Sequence, residues 1–207
     1  AQPSGYLPCS SASCPVLRAY RATAPCGVAA EDELQYSAEK IQENFSNYSA
    51  FHHRSLFLKR SGRSVRDSLA HELTIVENAI FTEPDDQSAW WYHQFLLRWA
   101  LEEVHTQKTQ QRDTCDELAA WLTTLLQQQL ELVGGLFELE ENCTWVITCL
   151  LNIVDTLTSA HLVSALQKED VVALLTQRTT LLEKLLVVDP NHKQRYQYLL
   201  LQPKIVE

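Results

Sequence analysis

Methionine is missing from all 207 residues, position 1 included, so the chain reads as a fragment whose true start is missing or processed. Glycine is scarce, five in all, and none falls in a glycine-rich phosphate loop. Basic charge is in deficit. Seventeen Lys and Arg face 26 Asp and Glu, for a net charge of −9, which argues against nucleic acid as a partner because phosphate binding needs a basic surface. The acidity reads first as solubility and second as a surface for a basic protein. No apolar run has the length of a transmembrane segment, and the N-terminus lacks the apolar core of a signal peptide. Six cysteines are too few and too scattered for a disulfide-built secreted domain. Cys9 and Cys14 bracket a Ser-rich loop with no nearby histidine, which disfavours a zinc clip, while Cys143 and Cys149 sit in a helical pattern as packed thiols. The expected compartment is reducing, hence cytoplasmic.

What the chain has is helix. Hydrophobic residues make up 45% and charged residues 21%, enough for one buried core, and Leu, Gln, Glu, Thr and Ala dominate. Residues 1–30 hold four prolines and three cysteines and read as an irregular or disordered segment, with the remnant of a repeat at Val16–Arg21. Residues 31–207 read as one helical-repeat domain. Glu31-Asp-Glu33 starts a helix to about Asn44. Asn47 caps a second, Tyr48 to about Lys59, ending near Gly62. Asp67 opens a third, whose Leu69, Leu73, Val76 and Ile80 share a face, and Pro84 stops it. Asp85 or Asp86 caps a fourth over about 87–104, apolar on nearly all sides. After a polar stretch, 105–112, helices are predicted over about 116–139, with a kink at Gly134-Gly135, then 143–157, 161–188 and 191–201. No segment carries strand periodicity. The pattern is all-α, a superhelix of stacked antiparallel hairpins.

Two segments echo each other across 39 residues: Asn47-Tyr-Ser-Ala-Phe-His-His-Arg54 and Asp86-Gln-Ser-Ala-Trp-Trp-Tyr-His93. Each has a cap, Ser-Ala, an aromatic, and a basic or imidazole side chain three places later. The aromatic sits one turn inside the cap, where it packs hairpin on hairpin; such a period signals an α-solenoid. Trp145, in Glu141-Asn-Cys-Thr-Trp145, repeats the layout more loosely.

The wording of these repeats, from Asn44-Phe-Ser-Asn-Tyr-Ser-Ala-Phe-His-His-Arg-Ser55 and from Asn78 to His93, resembles the alpha subunits of protein prenyltransferases, most closely that of the Rab-directed geranylgeranyltransferase type II. Glu138–Trp145 and Val188-Asp-Pro190 add support, and the likeness covers roughly residues 31–200. The resemblance implies a crescent of helical hairpins around a separate beta subunit. It places zinc, the geranylgeranyl diphosphate pocket and most of the catalysis in that partner, with no cofactor in this chain. Geranylgeranyl would pass to C-terminal cysteines of Rab GTPases presented by an escort protein. Tyr48, His52, His53, Arg54, Trp90, Tyr92 and His93 are the expected inter-subunit surface. Read without the resemblance, the aromatics are core and the histidines satisfied core or surface residues; Asn47 and Asp86 are structural caps either way.

The chain also departs from the family. No counterpart of its diphosphate-contacting lysine is present; an earlier repeat survives only as Ala19-Tyr20-Arg21, behind Arg18 where tryptophan belongs. Phe51 replaces a tryptophan, and Gln94 stands where arginine follows the histidine. The chain alone is therefore expected to be inactive, with no catalytic residue of its own. Adjacent His52-His53 cannot share a metal, since neighbouring helical residues point about 100° apart. Asp85-Asp86 and Glu140-Glu141 read as helix-start charges. The alternatives are the alpha subunit shared by farnesyltransferase and geranylgeranyltransferase type I, a tetratricopeptide-like scaffold without enzyme partner, and a truncated, inactive relic.

Overall fold

The computed structural model describes residues 29–110 and 115–202. Among them are eight α-helices and no strand: α1 Ala30–Glu43, α2 Tyr48–Arg60, α3 Val65–Thr82, α4 Gln87–Thr109, α5 Cys115–Leu139, α6 Thr144–Leu157, α7 Lys168–Val188 and α8 Lys193–Leu201, with 3₁₀ turns at Val163–Ala165 and Pro190–His192. The remnant repeat, Cys9, Cys14 and Cys26 lie outside the described residues. The helices pair in sequence as α1/α2, α3/α4, α5/α6 and α7/α8.

Local chemistry sets the ends. Asn47 accepts a hydrogen bond from the Ala50 amide and Asp86 one from Ser88, satisfying donors that a first turn leaves open. The third helix starts two residues before Asp67, because Ser64 takes the cap and accepts from the Asp67 amide. Gly62, at φ +71°, turns the chain between α2 and α3. Helix α5 is continuous through Gly134 and Gly135. Three expectations need correction. Helix α4 continues through the polar stretch to Thr109, because Val104 remains buried and Gln107 bonds Glu103 one turn back. The predicted helix over 161–188 is divided, since Leu166 is extended between a 3₁₀ turn and α7. The last helix is preceded by a separate 3₁₀ turn at Pro190, which lacks the amide to extend it backwards.

The core is one continuous apolar cluster through all four hairpins. Leu69, Leu73, Val76 and Ile80 are buried, as are Val171, Leu174, Leu181 and Leu185. The second helices pack in series, α2 on α4 and α4 on α6, whereas no comparable packing joins α1 to α3 or α3 to α5. Hairpins that approach on one side and splay on the other curve toward the closer side. The exposed face of α2, α4 and α6 is therefore the inner face of the stack.

Candidate partner-facing surface

The helix register decides which residues reach that face. From cap to cap the second helices repeat at 47, 86 and 143, steps of 39 and 57 residues. The same steps relate Glu33, Glu72 and Gln129 on the first helices, all buried, Glu33 in the first turn of α1 and the other two near the middle of α3 and α5.

These three positions form the polar spine of the stack. His53 Nε2 lies 2.6 Å from Glu33 Oε2, and 39 residues on the Tyr92 hydroxyl donates to Glu72 Oε2 at 2.7 Å; each contact ties a second helix to its own first helix. The following residue reaches forward instead. Arg54 donates to both oxygens of Glu72, at 2.6 and 2.7 Å, and to the Leu34 carbonyl at 2.6 Å. Its counterpart His93 donates through Nε2 to Gln129 Oε1 at 3.3 Å, while the Gln129 amide donates to Glu77 at 2.8 Å and the Cys149 thiol meets His93 Nδ1 at 3.5 Å. Burial works against the charge of Arg54, but hydrogen bonding and attraction from Glu72 outweigh it and hold the guanidinium above its ordinary value. Burial and the adjacent Glu72 push the Tyr92 phenol well up. Burial holds His93 down at about 4, so it is neutral at pH 7, and raises the Cys149 thiol far out of the nucleophilic range.

The inter-subunit assignments made from sequence therefore divide. His53, Arg54 and Tyr92 are buried inside the chain, His53 and Tyr92 bonding within their own hairpins and Arg54 bridging to the next, which leaves all three off the exposed face. This corrects the expectation for those three, and the physical reason is that a residue next in sequence on a helix points 100° away. Trp90 and His93 are also buried but form the floor of a surface cleft. Tyr48, 46% exposed, and His52 stand on the inner face.

Sequence reasoning missed their neighbours. Trp91 lies 5.1 Å from Tyr48 and 5.9 Å from His52, ring to ring, and stacks on Phe95 at 6.2 Å, with Lys59 5.5 Å over the Phe95 ring. Counting from the caps would have found Trp91, since it occupies the place of His52 one repeat later. Trp145 is not the third copy of the buried aromatic. Ile147 fills that position, and Trp145, 38% exposed, stands on the inner face. Trp91 and Trp145, with Tyr48, wall a cleft of about 180 Å3. Among the described residues no three His, Cys, Asp or Glu side chains converge to hold a metal, and no helix is long and apolar enough to cross a membrane.

The two clamped hairpins coincide with matches to the protein prenyltransferase alpha subunit repeat, at residues 30–61 and 69–100. The chain belongs to this repeat family. It is 30% identical over 181 residues to the geranylgeranyl transferase type-2 subunit alpha of Schizosaccharomyces pombe, covering 82% of this chain and 49% of that protein. The Saccharomyces cerevisiae protein of the same name is 29% identical over 84% of this chain and half of its own length. The Mus musculus one is 43% identical over 83 residues, 36% of this chain and 15% of its own. The chain thus spans about half the length of the yeast relatives it matches, and less of the mouse one.

Proposed function

We propose that the chain serves as the alpha subunit, or part of it, of a protein geranylgeranyl transferase of type 2, with the inner face of α2, α4 and α6 set against a beta subunit. The likeness to the Schizosaccharomyces pombe subunit across 82% of the chain carries this reading, and the exposed aromatics on the curved inner face support it as the place of contact. The beta subunit would hold the zinc and the geranylgeranyl diphosphate; the acceptors would be C-terminal cysteines of Rab GTPases brought by an escort protein, in the cytoplasm. This chain's part is to frame the site. Among the described residues the three thiols and the neutral His93 are buried, which keeps these four from acting as nucleophile or base at the surface.

Co-expression with a type-2 beta subunit, followed by gel filtration and a transfer assay on an escort-bound Rab, tests the reading. Co-elution with transfer above that of the beta subunit alone is the expected result. Separate elution, with transfer unchanged, would remove it. Pairing with a farnesyltransferase beta subunit instead would favour the alpha subunit shared by the two other enzymes.

A further inference from the structure

The cleft on the inner face has an unusual lining. Three of the chain's five tryptophans, Trp90, Trp91 and Trp145, border it together with Tyr48. The Trp90 indole donates to the Pro84 carbonyl at 2.7 Å, which fixes that ring. Gln94 and Asn152 supply amide oxygens at the wall, and no Lys or Arg lines the cleft. Its floor is His93, neutral at pH 7 because burial holds it at about 4.

The turns that lead into the cleft mouth are acidic. The turns before α4 and α6 carry Asp85, Asp86, Glu140 and Glu141, and they touch through Cys143 Sγ and the Pro84 carbonyl at 3.5 Å. These turns lead into Gln87 and Trp145 at the cleft mouth. Lys184, 3.9 Å from Glu141, is the one cation paired with any of the four among the described residues. Indole faces attract cations, the more so when partly desolvated. Amide oxygens accept the in-plane N–H groups of a guanidinium, whose flat face stacks on aromatic rings. The partial positive charge at the α4 N-terminus opposes a cation, but the Asp86 carboxylate accepting from Ser88 offsets it.

We infer that the tryptophan-walled cleft between α2, α4 and α6 receives an arginine side chain projecting from the partner protein. This rests on the proposed assembly for the partner's identity, not for the chemistry of the pocket. The probe is the peptide acetyl-Gly-Arg-Gly-amide, titrated into the full chain while the indole N–H resonances are followed, with citrulline, leucine and glutamate analogues alongside. The Trp91 and Trp145 signals are expected to shift with the arginine peptide, with the citrulline analogue roughly tenfold weaker. Trp145→Ala is expected to weaken the response by a similar factor, and Phe81→Ala on the opposite side to leave it unchanged. Equal binding of the leucine or citrulline analogue, preference for glutamate, or no arginine response would overturn the inference. In parallel, wild type and Trp145→Ala are compared for co-elution with the beta subunit. Wild-type co-elution without an arginine response overturns the inference alone, whereas an arginine response without co-elution leaves the pocket standing and removes the assembly.

Discussion

Arg54 and Glu72 form an ion pair out of water at the joint between the first two hairpins, with the guanidinium donating to both carboxylate oxygens. Removing one partner strands the other. Glu72→Ala is expected to destabilise by about 3–5 kcal/mol in denaturant unfolding, and the double variant Arg54→Met with Glu72→Met by less than the sum of its single changes. His93 gives a pH signature. Its folded value of about 4 lies below the ordinary 6.5, so as pH falls through 6.5 the unfolded chain takes up a proton that the folded chain refuses. Stability is lost between pH 6.5 and 4 and levels off below, by on the order of 3 kcal/mol in all. His93→Gln should flatten that part of the acid limb relative to wild type, which thermal melts across pH will measure. At this scale the sequence was partly misleading. Arg54 and His93 share a repeat position and look like exposed recognition residues, yet their acceptors, Glu72 and Gln129, are far along the chain. Only the 39- and 57-residue steps, read together, bring them into contact.

At the scale of the helix, most of the fold was legible because apolar spacing and caps agree. Leu69, Leu73, Val76 and Ile80 repeat at helical intervals and are all buried. Asn47 and Asp86 are both cap residues by type and by hydrogen bond. Asn47→Ala and Asp86→Ala should each cost about 1 kcal/mol. Gly62→Ala should cost about as much through strain alone, because the space around it is open but φ is +71°. Chemical denaturation of the three single variants checks this. The end of α4 was not legible. His105 to Gln110 is polar in sequence, yet Thr106 and Thr109 bond back to carbonyls one turn earlier and the helix stays intact. Ser64 was overlooked as a cap because Asp67, its own amide donor, is also a residue that opens helices.

Across the whole molecule, the serial packing of second helices gives the stack an inner face, and the exposed aromatics gather on it. Repeat class and direction of curvature follow from sequence period and packing; the outward residues do not, because an error of one position rotates a helix by 100°. The central claim is that this inner face meets the beta subunit. Its most direct test is co-elution with a type-2 beta subunit of two charge variants, Tyr48→Glu with His52→Glu on the inner face, and Phe81→Glu, 48% exposed on α3. Loss of the complex for the first variant and retention for the second, with both still helical by circular dichroism, is the predicted result. An intact complex with Glu at 48 and 52, or loss through Phe81 alone, would contradict it.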